Sequence, residues 1–129
     1  MIFQINQNRK IRIFNEEFIS NNIKRAKMIV NNKQYDLEEY IENPEHPFKI
    51  EIKFLDIIIK LNSMFKDCKS LTGVYNFQNL NTKYLKTICN LFEGCNLLIY
   101  IDDISNWNLK NINNITKLFY QCSSIEILI

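Results

Sequence analysis

The 129-residue sequence predicts an α/β chain, a stack of strand-and-helix coils behind a small α+β N-terminal region. Two observations carry this. The stretches "LNSMFKDCKSLTGV", "ICNLFEGCNLLIYI" and "ITKLFYQCSSIEIL" align with a constant step of 27 residues. The step fills six columns: Leu61, Ile88 and Ile115; Met64, Leu91 and Leu118; Phe65, Phe92 and Phe119; Cys68, Cys95 and Cys122; Leu71, Leu98 and Ile125; Val74, Ile101 and Leu128. A fixed period of this length marks supersecondary units that bury their apolar faces only against each other. The first sixty residues lack the period. The predicted organisation is a cap over residues 1–47 and about three coils over 48–129, the last one uncapped.

In chain order, "KIRIF" over 10–14 predicts a strand. Asn15 followed by Glu16 and Glu17 predicts a helix start, because a side-chain acceptor and early carboxylates suit the free N–H groups of a first turn; the helix is expected over 15–25. "KMIVNNKQYDL" over 27–37 predicts a β-hairpin, its arms joined by Asn31 and Asn32, residues that tolerate left-handed backbone. "NPEHP" over 43–47 reads as a loop. In "FKIEIKF" Phe48, Ile50, Ile52 and Phe54 alternate with Lys49, Glu51 and Lys53, a half-buried strand expected to begin the repeat sheet.

Within a repeat, Leu61, Met64, Phe65 and Cys68 stand at i, i+3, i+4 and i+7, the stripe of a short amphipathic helix. Asn111, and Asn81 or Thr82, stand where N-caps of the later helices would lie. "LLIYI" over 97–101 and "IEILI" over 125–129 have the β-branched content of strands.

The pattern "ISxWNxxNIxNITxLFxxCSSI" resembles the BspA-like leucine-rich repeats. The resemblance covers 58–129 and implies a leucine-rich-repeat solenoid. The preceding "IRIFNEEFISNNIKRAKMIVNNKQYDLEEYI" is similar to the small region that precedes such repeats in some proteins. Departures from the family's pattern are Leu91 and Leu118 in place of Met, Asp102 where Pro is common, and Leu80 in the column of Trp107.

Composition narrows the function classes. Hydrophobic residues make up 47% and charged residues 23%, the balance of a packed chain rather than a disordered one. The net charge of +2 is spread evenly, and "RKIR" and "KRAK" are short clusters, not the dense basic face of a nucleic-acid binder. No apolar run approaches a bilayer span, and "MIFQINQNRKIRIF" lacks a signal-like core, so neither membrane nor export is expected and the reading is an intracellular, cytoplasmic protein.

The sequence offers little catalytic chemistry. His46 is the single histidine, in the 43–47 loop, and two glycines make no phosphate-binding loop. Three of the four cysteines fall in the repeat register and are expected to be a buried column without disulfides. Cys89 lies six residues from Cys95, not at zinc-ligand spacing. No metal and no cofactor are expected. Asp102/Asp103, Glu16/Glu17 and Glu38/Glu39 read as turn or helix-start residues. The sequon at Asn114 is expected to be inert without export.

The expected role is a non-catalytic protein-interaction or scaffolding module. The alternatives are a structural subunit of a large intracellular, virion or cytoskeletal assembly and, remotely, an enzyme with an unrecognised Cys site. The expected contact surface is the C-terminal strand edge, Ile99, Tyr100, Glu126, Ile127 and Ile129, engaging a protein partner or a second copy, with the outer side around Lys83 and Lys110 as the next candidate.

Overall fold

A computed structural model describes residues 2–3, 10–42, 44 and 48–125. The elements in order are β1 (Ile2–Phe3), β2 (Lys10–Arg12), α1 (Glu16–Asn22), β3 (Ala26–Val30), β4 (Lys33–Tyr35), β5 (Tyr40–Glu42), β6 (Phe48–Lys49), β7 (Glu51–Phe54), β8 (Leu71–Val74) and β9 (Tyr100–Ile101), with a 3-10 turn at Phe77–Asn79. The described residues form three sheets: β6-β1-β8-β9, β2-β5 and β4-β3-β7.

The N-terminal expectations largely hold. The hairpin of β3 and β4 pairs Val30 with Lys33. Asn31 and Asn32 between them have φ of 51° and 64°, the left-handed pair that a two-residue turn requires. The Asn15 side chain accepts from the Glu17 N–H at 3.0 Å and starts α1, which ends at Asn22 rather than residue 25. "FKIEIKF" is not one strand of the repeat sheet. It changes sheets at the buried Ile50, with β6 pairing β1 and β7 pairing β3. The predicted loop over 43–47 lies outside the described residues except for Pro44.

The repeat columns stack, but not as strand-and-helix coils. α1 is the single α-helix among the described residues, and it precedes the repeats. The expected leucine-rich-repeat solenoid is therefore overturned: the described residues form a mostly sheet-and-turn structure with one helix and three sheets. The backbone gives the reason. Ser63 and Asp67 have φ of 59° and 61°, and Asn90, Gly94, Lys117 and Gln121 repeat these left-handed positions 27 and 54 residues on, at 58°, 77°, 55° and 61°. A right-handed helix cannot pass through such residues.

The chain instead alternates two kinds of bond. Met64, Lys66 and Cys68 donate their N–H groups locally to Leu61, Ser63 and Phe65 carbonyls, at 3.2, 3.2 and 3.0 Å. Between them Leu61, Ser63, Phe65 and Asp67 donate to Thr87, Cys89, Leu91 and Glu93 carbonyls in the next passage, at 3.1, 3.0, 2.9 and 2.7 Å. The stripe at i, i+3, i+4 and i+7 thus faces inward on a run of tight turns. Asn81, Thr82 and Asn111 cap no helix. The Thr82 hydroxyl accepts from the Asn108 N–H at 2.8 Å and the Asn111 amide donates to the Lys83 carbonyl at 3.4 Å, both linking neighbouring passages.

Side chains fill the space between passages in vertical columns. Phe14, Phe65, Phe92 and Phe119 stack with centroid separations of 5.9, 5.7 and 5.6 Å. Phe77 and Trp107 close one side, edge to face at 4.8 Å, and the indole N–H donates to the Phe77 carbonyl at 2.9 Å. At the start of the column α1 lies across the first passage. The Asn15 N–H donates to the Met64 carbonyl and the Asn22 side chain to the Lys60 carbonyl, each at 3.1 Å. Glu17 accepts from the Ser63 hydroxyl at 2.7 Å and from the Asn62 amide. Of the expected C-terminal strands, β9 forms at Tyr100–Ile101, and residues 126–129 lie outside the described residues.

Candidate functional site

Burial changes along the columns. In the first and second passages Leu61, Phe65 and Cys68, and Ile88, Phe92 and Cys95, are all buried. In the third, Ile115 is 62% exposed, and Leu118, Phe119 and Cys122 are half-buried. The outer side of this third passage is an apolar end face whose inner side rests on Leu91, Phe92 and Cys95 columns.

The backbone at that face is equally open. The second passage donates from Ile88, Asn90, Phe92 and Gly94 to Asn114, Thr116, Leu118 and Tyr120 carbonyls at 3.3, 2.9, 3.1 and 2.8 Å. The N–H groups of Ile115, Lys117, Phe119 and Gln121, which occupy the same register, have no acceptor among the described residues. Four aligned donors beside an apolar stripe make a surface suited to polypeptide.

A second apolar surface lies on the β6-β1-β8-β9 sheet. Tyr75 and Tyr100 stack at 4.8 Å, 47% and 44% exposed. Gly73 makes room for this, since a Cβ there would stand 2.8 Å from Tyr75 Cε2. The Tyr100 hydroxyl donates to Asp102 Oδ1 at 2.5 Å, and the Asn76 N–H donates to Asp102 Oδ2. The Asp102 carboxylate holds the Tyr100 phenol above its usual range. Beside the pair a cleft of about 590 Å³ is walled by Ile50, Ile52, Val74, Phe77 and Leu80.

Of the residues named for the contact edge, Ile99 is 63% exposed and Tyr100 forms the stacked pair. Glu126, Ile127 and Ile129 lie outside the described residues, as does His46. Lys83 and Lys110 are exposed, on turns rather than on a helix. Sequence reasoning missed Ile115, Leu118, Phe119 and Cys122 as a surface: their columns were legible, but not which way the backbone donors point.

The cysteines form the expected column. Each of the three in-register thiols donates to a carbonyl of the segment stacked before it: Cys68 to Ile13 at 3.3 Å, Cys95 to Phe65 at 3.0 Å, Cys122 to Phe92 at 2.9 Å. All four cysteines are free. Burial pushes the Cys68 and Cys95 thiols far up from the ordinary range and raises that of Cys122 as well. A thiol held protonated is a poor nucleophile. Among the described residues no group of His, Cys, Asp or Glu is placed to hold a metal ion.

This repeated, sheet-and-turn architecture can be set beside known families. Residues 47–128 match the family described as "Mycoplasma protein of unknown function, DUF285", and the chain belongs to that family. The match replaces the expected BspA-like leucine-rich-repeat membership, for which no family match is found. No curated protein matches the chain, and no solved structure does. Among the described residues no helix is long and apolar enough to cross a membrane.

Proposed function

We propose that the chain is a non-catalytic protein-interaction module that binds polypeptide through the end face of its third passage. The observation that carries this is one column read three times: Leu61 at 0%, Ile88 at 2% and Ile115 at 62% exposure. An apolar column that is closed twice and open once, next to N–H donors with no acceptor among the described residues, lowers its free energy by acquiring a polypeptide neighbour. Thiols held protonated by burial give no activated nucleophile and so favour binding over catalysis. Four free thiols suit a reducing compartment, which supports the cytoplasm as the place of action.

The test uses Ile115→Lys and Leu118→Asp as separate baits beside the wild-type chain, with the fold checked by Trp107 fluorescence. Proteins that wild type captures are identified, purified and titrated directly. The expected result is at least about a tenfold loss of affinity for each variant, the scale of a central interface contact. Undiminished binding to both folded variants overturns the proposal.

A further inference from the structure

We infer that the end face is specific for a polypeptide segment carrying the repeat's own pattern, an aromatic residue followed three positions later by a small thiol or hydroxyl donor, laid parallel to 115–122. The inference deepens the proposed protein-binding role and rests on it.

The first argument is polarity. An ordinary strand edge alternates donors and acceptors. Here Asn114, Thr116, Leu118 and Tyr120 carbonyls point back to the second passage, and Lys117 and Phe119 carbonyls accept locally from Tyr120 and Cys122 N–H groups at 3.3 and 3.1 Å. Among the described residues, the row facing outward at Ile115, Lys117, Phe119 and Gln121 is of backbone N–H donors, with the Phe119 carbonyl beside it able to accept a second, side-chain donor as the Phe65 and Phe92 carbonyls do. Its complement is a row of carbonyls at every second residue.

Polarity also removes the second copy as occupant. Two end faces meeting about a twofold axis would set donors against donors, leaving both rows unsatisfied. A head-to-tail stack needs the acceptor side of the first passage, and there Asn15 and Asn22 already hold the Met64 and Lys60 carbonyls while Phe14 covers Phe65 at 5.9 Å.

The side chains name the rest of the pattern. Each Phe of the column has a ring on its following side about 5.6 to 5.7 Å away, and its carbonyl receives the next passage's thiol, Cys95 on Phe65 and Cys122 on Phe92. Phe119 has neither among the described residues, so its outer ring face and its carbonyl call for an aromatic and a donor at i and i+3. Lys117 and Gln121 already hold the left-handed φ of the two closed passages, so the face meets its ligand without reorganising.

The probe is a synthetic peptide with the sequence of residues 82–98, TKYLKTICNLFEGCNLL, added to the ¹⁵N-labelled full chain. At ten times its Kd, the peptide should slow amide exchange at Ile115, Lys117, Phe119 and Gln121 by about tenfold from the nearly unprotected rates of the free chain. The same peptide carrying Phe92→Ser should not do so. The inference is overturned if the probe fails to bind, if it binds while leaving those four amides unprotected, or if the serine peptide protects them equally. Should captured proteins still depend on Ile115 and Leu118 while the peptide leaves the four amides bare, the pattern fails and the protein-binding role stands.

Discussion

Removing one ring from the centre of the aromatic column tests the stacking directly. Phe92 is fully buried, with Phe65 and Phe119 on its two faces at 5.7 and 5.6 Å and Phe77 at its edge at 6.0 Å. Phe92→Ala removes both stacked pairs and leaves a void between passages that hydrogen bonds on either side hold apart. A Phe truncated to Ala in a core costs about 3–5 kcal/mol, and the lost ring pairs place this site near about 4–5 kcal/mol. Against a total of about 5–15 kcal/mol this is a large fraction. With an m value of about 2 kcal/mol per molar urea, the midpoint should fall by about 2 M. Lys86→Ala is the control, since Lys86 is exposed and its backbone bonds to Ile59 and Asn113 survive the change; it should cost under about 0.5 kcal/mol. Equal, small midpoint shifts for the two variants would refute the column.

Three further outcomes follow from the same geometry. Cys68 and Cys95 should resist alkylation in the native protein and react after denaturation; rapid native labelling of both would show that the column is open. The same thiols make stability depend on pH. Their folded pKa values lie above the unfolded value near about 8.5, so the stabilisation is complete below that pH, and above it the unfolded chain releases protons that the folded chain keeps; unfolding free energy should fall by about 1.4 kcal/mol per pH unit per thiol. Urea midpoints in Cys95→Ala that drop between pH 8 and 9.5 as steeply as wild type would contradict this. Gly94→Ala should destabilise by about 1–2 kcal/mol, because φ is +77° and the new Cβ would stand 2.5 Å from Asp67 Oδ1; measured in an Asp67→Ala background the same change should cost less, and an equal cost there would refute the clash with Asp67.

How far the sequence reached can be read in particular residues. The 27-residue columns, the Asn31–Asn32 turn and the Asn15 cap were legible because each depends on local chemistry or on simple recurrence. The helix in each repeat was not. Leu61, Met64, Phe65 and Cys68 have a helical spacing, yet Ser63 and Asp67 take left-handed φ without being glycine, and what stabilises them is the row of carbonyls from residues 26 positions on. Only Gly94, in the same column as Asp67, and Asn90, in the column of Ser63, hinted at that conformation. The same long-range bonds decide where donors are left over, so the end face could not be placed from sequence, and the expected edge at Ile99 and Tyr100 was marked instead. "FKIEIKF" alternates as one strand should, and nothing in its residues signals that Ile50 divides it between two sheets.

The three passages share one hydrogen-bond ladder that is closed twice and, among the described residues, open once. Site-resolved amide exchange on the free chain measures this. Leu61, Ser63, Phe65 and Asp67, and Ile88, Asn90, Phe92 and Gly94, should exchange only through large-scale opening, while Ile115, Lys117, Phe119 and Gln121 should exchange at nearly unprotected rates. Equal protection in all three sets, or fast exchange at the first two, would contradict it.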